Sequence, residues 1–134
     1  LKIIPSLFQK FFARRAEIGA GLDRFTYGAC TCLPAEQRTR DDELVYLVSA
    51  HVSPEAVAPA GMTKWRVPAR MYAHFTHRGP IHKLNQTINY IYGAWLPRSD
   101  FERVDGPELE RYDDRFGDGG EQSELDYLIP VKRR

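Results

Sequence analysis

The stretch Trp65-Arg-Val-Pro-Ala-Arg-Met-Tyr-Ala-His-Phe-Thr-His-Arg-Gly79, continued through Pro80 to Ile91-Tyr-Gly-Ala-Trp-Leu-Pro97, decides the fold. Residues 65–76 read as a long strand, bent at Pro68 because proline cannot donate to a sheet ladder. Gly79-Pro80 then opens a helix. Ile81, Leu84, Ile88, Ile91, Tyr92 and Trp95 fall on one helical stripe. Pro97 is expected to stop the helix and to force Leu96 out of the helical region. Strands follow at 103–112 and 124–132, joined by a Gly- and Asp-rich turn at 117–121. The order is strand, helix, strand, strand.

The same order, one strand short, precedes it. Pro5 suits a first helical position, since its missing N–H would be unpaired there. Leu7, Phe8, Phe11 and Phe12 recur at helical spacing, and Gly19 and Gly21 close the helix. Residues 24–33 and 44–52 read as strands around a polar connection at 34–42. Residues 53–61, with two prolines and three alanines, read as a linker. Pro5 then corresponds to Pro80, Tyr27 to Tyr112, and Tyr46 to Asp126. The expectation is one α+β domain over 1–134, built from duplicated halves at about 1–57 and 58–134. Two helices pack on an antiparallel sheet, with a groove between the halves. The first half lacks the strand before its helix, which reads as a chain that begins too late.

Composition narrows the function classes. The chain has 134 residues, 43% hydrophobic and 28% charged, with a formal net charge of +1. That balance provides no global field for nucleic acid or anionic membrane. No apolar run approaches the ~20 residues of a membrane helix. The N-terminal residues lack the apolar core of a signal peptide, so the expected location is cytoplasmic. Cys30 and Cys32 would share one strand face with Cα atoms about 6.5–7 Å apart, which suits a disulfide poorly and small core-facing side chains well.

Familiar catalytic signatures are absent from the sequence. No serine stands in a Gly-x-Ser-x-Gly elbow. Gly117-Asp-Gly-Gly120 lacks the Lys-Ser/Thr ending of a phosphate loop. His74 and His77 would lie on opposite strand faces, and His77 and His82 flank a helix start as exposed residues. No metal site and no cofactor are expected.

The segments Asp42-Glu-Leu-Val-Tyr46, Gly61-Met62, Val67 to Gly79, Ile91 to Pro97, Gly106-Pro-Glu-Leu-Glu-Arg-Tyr112 and Ile129-Pro-Val131 together resemble the bacterial effector-binding, GyrI-like small-molecule-binding domain with its SOUL-type fold. The resemblance covers nearly the whole chain. It implies a pseudo-twofold domain that binds lipophilic or cationic molecules, multidrug-like, between its halves. It also implies a role as the sensor of a transcription regulator, with a DNA-binding domain outside this chain. Two further readings stand beside the sensor. One is a small hydrolase of reactive electrophiles that uses an acidic residue in an aromatic groove. The other is a macromolecular interaction protein of the gyrase-modulator type. The resemblance points to an acid on the last strand, here Asp126, with Glu124 on the same face. Bland readings compete: both acids could point to solvent while Leu125, Tyr127 and Ile129 form the buried face. The aromatic candidates are Tyr112 and Tyr46 on matching strands, Trp65 at the groove rim, and Trp95 and Tyr27, for which core packing is the competing reading. Small-molecule binding is expected, with no membrane and no direct nucleic-acid partner.

Overall fold

The computed structural model describes residues 3–32 and 44–134; the connection expected at 34–42 lies outside them. Helices α1 (Ile3–Ala13) and α2 (Arg15–Ile18) lead into β1 (Thr26–Cys32) and β2 (Leu44–Ala50). β3 (Tyr72–Arg78) and a 3-10 turn (Ile81–Lys83) precede α3 (Leu84–Tyr90). A π-helical turn (Ile91–Trp95) carries α3 on into α4 (Leu96–Arg98). The chain ends with β4 (Phe101–Arg103), β5 (Glu108–Tyr112) and β6 (Glu124–Arg133). The fold is α+β with one antiparallel sheet in the order β2-β1-β5-β6-β3, and β4 pairs with β6. β1 pairs with β5, which joins strands from the two sequence halves.

Directly paired residues point to the same face, so the register sorts the side chains. Gly28 faces Glu110, and Glu110 faces Tyr127, which in turn faces Phe75. Cys30 faces Tyr46 on one side and Glu108 on the other. These residues line the inner face. Tyr27 faces Arg111, and Asp126 faces both Arg111 and Thr76, which places them on the outer face.

The helices cover the inner face. Leu84 and Ile91 pack with Leu125, Tyr127, Ile129 and Val131, and Ile91 and Ile129 are fully buried. Each such isoleucine contributes roughly 1.5–3 kcal/mol by leaving water. From α1, the Phe8 ring meets Tyr112 edge-on at 5.2 Å and Tyr46 at 6.5 Å. Pro130 stands inside central strand β6 without harm. It falls between the β5 pairing, which ends at Leu128, and the β4 pairing, which begins at Val131, and its carbonyl accepts from the Val104 N–H at 3.1 Å.

Four local expectations need correction. The strand expected at 65–76 begins only at Tyr72; the stretch before it is exposed and outside the strand, although Met71 O accepts from the Val131 N–H at 3.0 Å, and Pro68 has no N–H to ladder with. The strand expected at 103–112 is split into β4 and β5 by Gly106, at φ 146°, and Pro107. Leu96 stays helical at φ −62°, ψ −45°, and the helix runs through Pro97. Pro97 has no N–H to return, and the turn before it opens to π, with the Leu96 N–H bonding Ile91 O. His77 is buried rather than exposed: its ring bonds Thr87 Oγ1 at 2.6 Å and Pro80 O at 3.1 Å, pinning the helix start to β3.

Candidate functional site

β5 carries Glu108, Glu110 and Tyr112 on its inner face, one on every second residue. Four tyrosines from four elements close on the two carboxylates. Tyr46 of β2 donates to Glu110 Oε1 at 2.7 Å, and Tyr112 donates to the same oxygen at 2.6 Å. Tyr127 of β6 donates to Glu108 Oε1, and Tyr92 of the π-turn donates to Glu108 Oε2. The sheet crossing is tight at Gly28. A Cβ there would stand 2.7 Å from Tyr46 Cζ and 3.1 Å from Glu110 Oε1. Glycine therefore lets the Tyr46 phenol cross β1 to reach Glu110.

The two acids differ in their counter-charge. The Arg103 guanidinium pairs with Glu108 Oε2 at 3.1 Å and also bonds Tyr92 Oη at 3.0 Å. No cation pairs with Glu110 among the described residues, and its Oε2 has no hydrogen-bond donor there. Burial raises the Glu110 pKa, and the charge of Glu108 adds to the rise; the two phenol bonds oppose it without cancelling it. Burial and the neighbouring carboxylates likewise raise the tyrosines, Tyr92 to about 12. The phenols thus stay protonated and act as donors. Glu110 is a carboxylate in an aromatic, partly dry setting whose charge is left unpaired among the described residues. Such a group attracts an organic cation or serves as an acid or base with a pKa nearer neutrality.

The outer face holds Asp126, 1% exposed, in a different setting. Its Oδ2 accepts from Arg115 Nη2 at 2.7 Å and from Arg111 Nη2 and Nε at 3.0 and 3.1 Å. Its Oδ1 accepts from Thr76 Oγ1 at 3.1 Å and lies 2.9 Å from His74 Nε2. Burial pushes its pKa up, but Arg115, His74 and Arg111 together outweigh burial and hold it well below the usual range. Glu124 shares this face, 3.9 Å from Arg115. The carboxylates singled out on β6 are thus already paired with basic side chains, and Leu125, Tyr127 and Ile129 form the buried inner face between them.

The other sequence candidates divide between settings. Tyr46 and Tyr112 meet on Glu110. Trp95 packs in the inner core, edge-on to Phe75 at 4.9 Å and stacked on Phe101 at 6.1 Å. Tyr27 is on the outer face and donates to Asp23 at 2.8 Å; burial, then Asp23, raise its pKa to about 12. Trp65 is 42% exposed in the stretch before β3. Sequence reasoning missed Glu108, Glu110, Gly28 and Arg103. The signal was present in Glu108-Leu-Glu-Arg-Tyr112, where period-two spacing puts both glutamates on the face of Tyr112. Among the described residues no group of three or more His, Cys, Asp or Glu is placed to hold a metal ion.

Known proteins agree with this architecture. Residues 1–132 match the family model described as the GyrI-like small molecule binding domain. Over 130 residues, 96% of this chain, the sequence is 32% identical to the transcriptional regulator BrlR of Pseudomonas aeruginosa. The chain spans about half that relative's length, 46%. With the family match running almost end to end over a sheet that gathers two glutamates and four tyrosines, the chain belongs to the GyrI-like small-molecule-binding family.

Proposed function

We propose that this chain is the ligand-sensing part of a transcription regulator and that it takes a lipophilic organic cation onto Glu110. The observation that carries this reading is the unpaired charge of Glu110 among phenols, next to a Glu108 already neutralised by Arg103. A quaternary ammonium has no N–H to donate. It is recognised by charge and by aromatic faces, each worth roughly 0.5–2 kcal/mol. Tyr46, Tyr112 and Phe8 supply such faces around Glu110. The similarity to a transcriptional regulator about twice as long supports a DNA-binding segment outside this chain and a cytoplasmic setting. Occupancy would then act by favouring one of two arrangements of the whole regulator.

Calorimetric titration with benzyltrimethylammonium and its neutral carbon isostere tests the reading. The cation is expected to bind at least about tenfold tighter, and Glu110→Gln to erase that preference. Equal binding of both compounds, or a preference that survives Glu110→Gln, overturns it.

The raised Glu110 pKa favours a second reading, hydrolysis of a reactive electrophile with Glu110 as acid or base. Turnover of such a compound that disappears in Glu110→Gln while binding persists would establish it. Binding without turnover leaves the sensor.

A further inference from the structure

A cavity lies beside the tyrosine cluster, with Tyr46 in its lining. It measures about 350 Å³, is open to solvent, and is bordered by α1, edge strand β2 and residues 52–64. Ligand pockets begin at about this size, roughly 300 Å³. Its walls are apolar: Leu7 and Phe11 of α1, Val48 of β2, and Met62. Val57, also in the lining, is 89% exposed.

Its charged lining has one sign. Lys10, Arg14 and Lys64 line it, and among the described residues no aspartate or glutamate does. Arg14 is neutralised by Glu17 at 2.8 Å and bonds Ala60 O at 2.7 Å, which ties α1 to the segment across the cavity. Lys64 Nζ bonds only neutral carbonyls, Pro54 O at 2.6 Å and Ala56 O at 2.5 Å. Lys10, exposed one helical turn before Arg14, has no ion-pair partner among the described residues. Among the described residues, two ammonium charges therefore border an apolar cavity without a carboxylate partner.

We propose that this cavity is a second binding site, for an amphipathic organic anion. An aliphatic tail would lie against Leu7, Phe11, Val48 and Met62, and its carboxylate would pair with Lys10 and Lys64. Charge complementarity selects the occupant. An organic cation would meet like charges here, whereas it meets Glu110, unpaired among the described residues, at the tyrosine cluster. Tyr46 is the wall the two sites share: it lines the cavity, and its hydroxyl bonds Glu110. The proposal does not depend on what Glu110 binds.

Isothermal titration of the full chain with decanoate, 1-decanol and decyltrimethylammonium tests it. Decanoate is expected to bind at least about tenfold tighter than either of the others. Lys10→Glu, at an exposed position, should remove that margin. Met62→Trp, which fills the cavity, should abolish decanoate binding, with circular dichroism confirming that the variant is folded. Glu110→Gln should leave decanoate binding unchanged. Three outcomes would each overturn the proposal: no decanoate binding at about 1 mM, equal affinity for all three headgroups, or loss of decanoate binding in Glu110→Gln. If Met62→Trp does not fold, Lys10→Glu and the headgroup comparison decide alone.

Discussion

Glu110 and Asp126 are both shielded carboxylates on neighbouring strands, yet their surroundings drive them in opposite directions. On the inner face, Glu110 is held by two phenols and by no cation among the described residues, and its pKa rises. On the outer face, Asp126 is held by two arginines, a histidine and a threonine, and its pKa falls. Phenols satisfy an oxygen's lone pairs but leave the charge in place. Arginines cancel the charge and tie strands together. The first arrangement leaves something for a ligand to complete; the second is complete as it stands. A buried acid is therefore informative about function only once its counter-charge is known.

The largest expected effect separates the two acids by binding. Glu110→Gln should weaken benzyltrimethylammonium by about 30-fold or more, the range for removing one partner of a desolvated charge pair. Asp126→Asn should change it by less than about threefold, because that carboxylate is on the opposite, outer face of the sheet and is already paired. Calorimetry on both variants checks this, and the reverse ranking would erase the distinction.

Stability should rank the other way. Asp126→Asn leaves Arg111 and Arg115 without their shared acid and should cost about 3 kcal/mol, the lower end for breaking a buried pair since both arginines keep some solvent access. Glu110→Gln keeps an oxygen for both phenols and removes an unpaired charge. It should be neutral or stabilising at neutral pH. Urea denaturation of the two variants beside the parent reads both values.

How much of this could be read beforehand depends on what each feature needs. The period-two pattern of β6 and the helical stripe from Ile81 to Trp95 are local, and both elements form there, although the helix opens as a 3-10 turn and runs on through Pro97. The start of β3 is not local, since it depends on where β6 offers partners. The site was half readable. The strand pattern points to Tyr46 and Tyr112, which meet on Glu110, but the acid it points to stands on β6 rather than on β5 beside Tyr112. Alternation alone assigns Glu124 and Asp126 to one face and Leu125 and Tyr127 to the other. It cannot say that Arg111 and Arg115, from β5 and the turn after it, converge on Asp126. That pairing requires the register.

The pH dependence of stability should carry both signs. Glu110 has a folded pKa above its ordinary value of 4.5. As pH rises from that value through the raised one, the unfolded chain releases its proton first, so folding loses stability across this window. Asp126 has a folded pKa below its ordinary value of 3.8. Its contribution is complete above 3.8 and is lost as pH falls through the depressed folded pKa. Urea midpoints from acid to pH 8 should therefore show Glu110→Gln gaining on the parent as pH climbs past 4.5. The deficit of Asp126→Asn should shrink only in strong acid. Parallel curves for the parent and Glu110→Gln would mean that Glu110 ionises normally.

The smallest expected effect tests whether Tyr46 is a ligand face or only core. A Cβ at position 28 would press on the Tyr46 ring, 2.7 Å from Cζ, and an aromatic ring cannot bend away at its tip. Gly28→Ala should swing the phenol off Glu110 and leave Tyr112 as the remaining donor to Oε1. The lost aromatic face should weaken benzyltrimethylammonium by about threefold to tenfold, the scale of one cation–π contact. Tyr46→Phe keeps the ring in place and removes only the hydroxyl, so it should keep affinity within about threefold while raising the Glu110 pKa further, since one anion-favouring bond is gone. The pair of variants separates shape from hydrogen bonding. If Gly28→Ala leaves affinity unchanged, Tyr46 serves the sheet and not the ligand, and the site contracts to Glu110, Tyr112 and Phe8. The contrast with Asp126 would survive this result, because it rests on the missing cation rather than on the number of phenols.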